Sequence, residues 1–176
     1  MRFIATGAAG LESLMEEEIS NLGGGALCKN RGLLEWQGTL ESGYRACLWS
    51  RFSSRILLPI HEFAGRNEDE LYEGVRQVRW EDHLGTDDTF AVDCVLSKDA
   101  PYRHSKFASL RAKDGIADYF RDKFGRRPDV KVERPGVRVN VHADSTRTLV
   151  SIDLSGESLH RRGYRKEGGG APLKET

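Results

Sequence analysis

Long apolar runs are missing from this 176-residue chain. A helix needs about 20 consecutive apolar residues to cross a bilayer, and the longest aliphatic stretch, residues 56–60, is interrupted by Pro59. No membrane partner is therefore expected. Cysteine is scarce: Cys28, Cys47 and Cys94 are odd in number and lack CxxC spacing, so neither a disulfide framework nor a zinc cluster is indicated. A reducing, cytoplasmic setting is the natural inference from that usage. A secretory signal is also not expected, because Gly7 and Gly10 break the first apolar residues and Glu16, Glu17 and Glu18 come almost at once.

Catalytic signatures are equally sparse. The five histidines, His61, His83, His104, His142 and His160, form no HExxH arrangement and no pair at helical ligand spacing. There is no G-x-S-x-G elbow, no Walker loop and no G-x-G-x-x-G after a strand. Residues 7–10 (GAAG) come nearest to a phosphate-cradling turn, but the acidic helix after them would repel an anion, so a simple tight turn is the better reading. The pairs Asp87 with Asp88 and Glu81 with Asp82 sit in what reads as a solvated loop. Neither a catalytic centre nor a metal or cofactor site is expected in this chain.

What is present is a hidden charge asymmetry. Net charge is zero, yet residues 1–96 carry 9 Lys+Arg against 16 Asp+Glu, and residues 97–176 carry 18 against 11. A polyanion is the partner that the second half would suit, unless both sets of charge merely interleave on a solvated surface.

Periodicity predicts α+β architecture. A strand at residues 2–6 leads to a helix carrying Leu11, Leu14, Met15, Ile19 and Leu22 on one face, stopped by residues 23–25 (GGG). Two short runs, 26–30 and 33–37, flank Arg31-Gly32 as a hairpin. A second helix, capped by Thr39, is expected to bury Leu40, Tyr44, Cys47 and Leu48, and a strand rich in Ile and Leu continues up to residue 63. That βαββαβ order is the ferredoxin-like plan and assigns residues 1–64 to a first domain. Residues 65–158 read as a second, α/β domain: a helix capped by Asn67, a strand at 89–96, a long helix at about 104–124 ended by Gly125 and Pro128, and strands at 137–142 and 148–154. Residues 159–176 read as a basic linker leading to something further.

On the long helix, Leu110, Ile116, Ala117, Phe120 and Phe124 share a stripe into which Lys113 falls, with Lys106 close by. A charge in a core stripe is costly. The helix is therefore expected to overhang the core at its start, presenting Arg103, His104, Ser105, Lys106, Arg111 and Lys113 beside its N-terminal amides, unless Lys113 snorkels or finds a carboxylate. A further basic cluster, from Arg121 to Arg138, is balanced by Asp122, Asp129 and Glu133, and Arg126 and Arg127 are as well explained by the helix dipole. Arg161, Arg162, Arg165 and Lys166 surround Tyr164, an aromatic placed to stack on a base, and Tyr102 either stacks likewise or packs under its own loop. Trp36, Trp49 and Trp80 are expected in the core.

Several strings carry a resemblance. They are LWSRFSSRILLPI (48–60), Lys113-Asp114-Gly115-Ile116, VRVNVH (137–142), and above all SIDLSGESLHRRGYR (151–165) with APLKET (171–176). Together they resemble the N-terminal part of the RlmL-type bacterial 23S rRNA guanine-N2-methyltransferases, over essentially the whole chain. The resemblance implies a ferredoxin-like domain followed by a THUMP RNA-binding domain, with 23S ribosomal RNA and the protein's own C-terminal methyltransferase domain as partners. S-adenosylmethionine would serve that domain and not this chain, whose five prolines form no adjacent pair and which has no Gly-rich loop of the required kind. The chain is thus expected to bind RNA and to have no enzymatic activity of its own. Two alternatives stay open: the THUMP module of a tRNA-modifying enzyme (thiolation or guanine methylation), and a ferredoxin-like protein-interaction module with no RNA partner, which the acidic first half would suit.

Overall fold

A computed structural model describes residues 1–161 and divides the chain into two compact units. The first comprises Met1–Leu58 with the segment that begins at Leu154, and the second comprises Pro59–Asp153.

In the first unit, β1 (Arg2–Gly7), α1 (Glu12–Asn21), β2 (Gly25–Asn30), β3 (Leu33–Gln37), α2 (Leu40–Trp49) and the start of β4 (Ser53–Phe63) keep the predicted βαββαβ order. β1 lies between β3 and β4, antiparallel to both, and β2 pairs outside β3. Phe3 and Ala5 of β1 meet Met15, Ile19, Leu34, Trp36, Ala46 and Ile56 in one core, where the Phe3 and Trp36 rings stack with centroids 4.5 Å apart. Thr39 caps α2 as expected, its Oγ1 accepting from the Ser42 amide at 3.1 Å.

The buried face of α2 differs from the predicted one. Ser42, Gly43 and Ala46 face the core, while Leu40, Tyr44 and Leu48 are exposed and Cys47 is half-buried. The cause is the close approach of helix to sheet: a Cβ on Gly43 would lie 2.7 Å from Phe3 Cε1, so only the small-residue side fits against β1. Trp36 and Trp80 are core residues, but Trp49 is 68% exposed. Likewise α1 buries Met15 and Ile19 and leaves Leu14 exposed.

Glu18 ties α1 to the turn after α2. Its carboxylate accepts from the Ser50 hydroxyl at 2.6 Å, the Arg51 amide at 3.0 Å and Arg51 Nε at 3.1 Å. Burial pushes its pKa up, but these hydrogen bonds outweigh that and hold it below the usual carboxylate value. A pKa depressed by folding stabilises the folded state at pH above the unfolded value of about 4.3 and loses that contribution as pH falls through the folded value. Glu18→Gln is therefore expected to lower the denaturation midpoint at pH 7 and to approach the parent as the pH nears 3, measured by urea titration across pH.

In the second unit, α3 (Glu68–Arg76), a 3-10 turn at Trp80–Asp82, β5 (Thr89–Leu96), α4 (Ser105–Phe124), β6 (Asp129–Val130), β7 (Val137–Ala143) and β8 (Thr148–Asp153) succeed one another. β5 runs parallel to β6 on one side and β7 on the other, and β8 pairs antiparallel with β7. Asn67 caps α3, its Oδ1 accepting from the amides of Asp69 and Glu70. The core gathers Leu71, Val75, Phe90, Ile116, Phe120 and Val141 around Trp80, whose Nε1 donates to the Val75 carbonyl at 2.8 Å.

The α4 stripe is also corrected. Ala108, Ala112, Gly115, Ile116, Ala117 and Phe120 are buried, whereas Leu110 and Phe124 are exposed. The helix does not overhang the core at its start, since Ala108 and Ala112 are fully covered. A Cβ on Gly115 would stand 3.0 Å from the Tyr72 carbonyl, so the small side of α4 lies directly on α3. Gly125, with φ at +72°, ends α4 in a left-handed cap, its amide bonding the Arg121 carbonyl at 2.9 Å.

Beyond β8 the chain rejoins the first unit. The Leu154 amide donates to the Ile56 carbonyl at 2.9 Å and the Leu159 amide to the Ser54 carbonyl at 2.8 Å, and both leucines pack against the first core. Residues 154–161 thus fall in the first compact unit.

Candidate nucleic-acid interface

Because β5 and β7 are parallel, their C-terminal ends open together, and the Ser97 amide closes on the Ala143 carbonyl at 2.9 Å there. In parallel α/β arrangements ligands gather outside that edge. Residues 97–104 leave it to enter α4.

The start of α4 has no anion of its own. His104 occupies the N-cap without a side-chain cap hydrogen bond, and the first turn contains no Asp or Glu. α2 and α3, by contrast, start with the side-chain caps Thr39 and Asn67, and Glu12 lies in the first turn of α1. Arg103, His104, Ser105 and Lys106 are all exposed. The side chains of Arg103 and Lys106 form no ion pair among the described residues. Helix-start amides with a partial positive charge and two uncommitted cations beside them suit phosphate oxygens.

The remaining candidates divide. Arg111 is committed within the fold: its Nη2 binds Asp69 Oδ1 at 2.7 Å and its guanidinium lies 4.7 Å from the Tyr72 ring centroid, fastening α4 to α3. Lys113 is half-covered and stands 3.5 Å from its neighbour Asp114, the carboxylate pairing that the sequence left open. Arg161 lies in the first unit, its amide on the Ser158 carbonyl. Arg162, Tyr164, Arg165 and Lys166 lie outside the described residues. Tyr102 is buried, its hydroxyl 2.6 Å from Thr148 Oγ1, so it packs under its loop and is no stacking platform.

Phe107 is the residue that sequence reasoning misses. Half-exposed next to Lys106, it offers an aromatic face at the helix start. Its position directly before the buried Ala108 is a usable signal, but only once the small-residue stripe is assigned to the core side. The second basic cluster is mostly neutralised: Arg121 pairs with Asp118, Lys123 with Glu81, Arg126 with Asp87 and Arg138 with Asp93. Lys123 and the Tyr119 hydroxyl hold the Glu81 pKa down at about 2.

The turn at residues 7–10 is filled from within. Glu12 accepts from the Gly10 amide at 3.0 Å and the Gly32 amide at 2.6 Å, which together depress its pKa, the Gly32 bond most strongly. A carboxylate already satisfies the donors that a phosphate or a cofactor would need, so the described residues do not fit S-adenosylmethionine at this turn. Among the described residues no group of three or more His, Cys, Asp or Glu is placed to hold a metal ion, and no helix is long and apolar enough to cross a membrane.

Comparison with known proteins adds relationship to geometry. Residues 65–153 match the THUMP domain family and residues 2–57 the RlmL ferredoxin-like domain family. A ribosomal RNA large subunit methyltransferase K/L of Desulfotalea psychrophila is 51% identical over 174 residues, 99% of this chain but 24% of that protein. The protein of the same name in Syntrophotalea carbinolica is 47% identical over 176 residues, again 24% of its length. Among solved structures, a predicted N6-adenine-specific DNA methylase from Listeria monocytogenes is 29% identical with a TM-score of 0.83, the match covering 98% of this chain and 45% of that one. The chain therefore spans about a quarter of the length of these curated relatives.

Proposed function

Since the chain belongs to the THUMP domain family and carries an RlmL ferredoxin-like domain ahead of it, we propose that it is an RNA-binding module that positions 23S ribosomal RNA for guanine-N2 methylation by an S-adenosylmethionine-dependent domain C-terminal to it. The transfer itself belongs to that later domain. One arrangement supports the reading: the anion-free start of α4 flanked by Arg103, His104 and Lys106, with the half-exposed Phe107 alongside. Cations and amides grip phosphates, and an aromatic face receives an unpaired base, a combination suited to shaped RNA with local single-stranded nucleotides. Lys113 is a secondary contact on the same helix in this reading, and Arg161, Arg162, Tyr164 and Arg165 are a separate basic contact with the RNA. The cytoplasm, where ribosomal RNA is modified, is the matching compartment.

Fluorescence anisotropy tests this with three labelled probes: a 23S rRNA hairpin fragment, a tRNA, and duplex DNA of equal length. The expected order is the rRNA fragment first, with affinity falling linearly on a log-log plot against salt. Preference for tRNA would move the protein to the tRNA-modifying class, and absence of RNA binding at low salt would overturn the reading.

A further inference from the structure

Helix α2 turns its apolar side away from its own core. Leu40, Tyr44 and Leu48 recur every fourth residue and are 40%, 52% and 66% exposed, and Trp49 at the helix end is 68% exposed. Four large apolar side chains on ten residues of surface helix are more than solvation explains, and such a face marks a contact site. The flank carries little charge to attract a polyanion, since Glu41 and Arg45 pair with each other at 3.0 Å beside the stripe. A protein surface is the matching partner: aromatic and aliphatic residues with self-neutralised charge are the composition of an interface core, not of a phosphate track.

The course of the chain favours one occupant. After β8 it runs back along β4, with the Ser158 hydroxyl and the Leu159 amide both bonding the Ser54 carbonyl, and reaches Arg161 two residues later. Trp49 is five residues from Ser54, a separation of at most about 18 Å. Arg161 belongs to the same compact unit as α2, so polypeptide C-terminal to it sets out from the unit that carries the exposed face. The relatives continue for about three quarters of their length outside the matched region.

We infer that the Leu40, Tyr44, Leu48 and Trp49 face of α2 is the seat of the methyltransferase portion C-terminal to this chain, docked through an apolar patch of its own. The inference rests on the proposed function in that it takes such a portion to be present in the full-length protein. A short tether raises the effective concentration of the docking partner to about the millimolar range, so a modest apolar contact is enough to hold it.

Hydroxyl-radical footprinting, read residue by residue by mass spectrometry, tests this on the 176-residue chain and on the full-length protein, both without RNA. Oxidation of Tyr44 and Trp49 is expected to be high in the short chain and at least about fivefold lower in the full-length protein, with buried Trp36 low in both as the internal reference. Leu48→Glu in the full-length protein is expected to restore oxidation of Tyr44 and Trp49, while the same variant of the short chain binds RNA unchanged. Equal oxidation in the two lengths overturns the inference. Protection of the short chain that grows with its own concentration assigns the face to a second copy, and protection appearing only with the 23S fragment assigns it to RNA. Either result also overturns the inference. Because the length comparison contains no RNA, its failure is separate from a failure of RNA binding.

Discussion

Reversing Arg103 and Lys106 together to glutamate is expected to weaken binding of the 23S fragment by roughly a hundredfold at about 50 mM salt, since each lost phosphate contact removes about one log unit there. The log-log salt slope should become shallower by about 2, and the difference from the parent should shrink as salt approaches about 1 M. Both side chains are exposed and unpaired among the described residues, so the substitutions break no ion pair of the fold. Arg111→Glu separates the two roles that charge plays on this helix. It removes the Asp69 bond and the Tyr72 contact, so its first effect is expected on thermal stability. If a folded Arg103→Glu, Lys106→Glu variant keeps parent affinity at low salt, the start of α4 is not the interface.

Truncating Trp80 to alanine is expected to cost the second unit about 3–5 kcal/mol, the range for deleting a large buried aromatic. Its side chain is fully buried among Leu71, Val75, Phe90 and Phe120, and its Nε1 satisfies the Val75 carbonyl, which would lose that partner. A loss of this size is comparable to the whole stability of a small domain. Urea denaturation followed by far-ultraviolet circular dichroism should show a second-unit transition shifted to much lower denaturant or absent at room temperature. Trp49→Ala, at an exposed position, should leave the same transition nearly unchanged, within about 0.5 kcal/mol. A Trp80→Ala protein with parental stability would refute the central place given to that side chain.

The order of elements is legible in the sequence because turn chemistry and hydrophobic period are local. The glycines at 23–25, the Thr39 and Asn67 caps and the Gly125 stop all mark real boundaries. β6 is not legible, since two residues paired with an edge leave no period to detect. Helix faces are harder to read. In α2 periodicity points to the larger apolar residues as the buried side, while Ser42, Gly43 and Ala46 face the core; in α4 it finds Ile116, Ala117 and Phe120 correctly but adds the exposed Leu110 and Phe124 and passes over Ala108, Ala112 and Gly115. A hydrophobicity count gives small residues little weight, yet they are what allow two backbones to approach closely.

The candidate site divides in the same way. Arg103 and Lys106 are visible as cations at a helix start, and the absence of a first-turn acid can be read directly from residues 105–108. That Arg111 is spent on Asp69 and Tyr72 cannot be read, because those partners lie 42 and 39 positions away in sequence and meet it only through the α3–α4 packing.

By itself the sequence determined the class of the fold, the βαββαβ order and the basic character of the second half, all of which depend on residues within a few positions of one another. Only the tertiary structure decided which cations remain free, which apolar residues stay outside and to which unit the chain returns after Asp153. Pairing and burial are relations between distant residues, and a charge or a methyl group has no fixed role until its neighbours are in place.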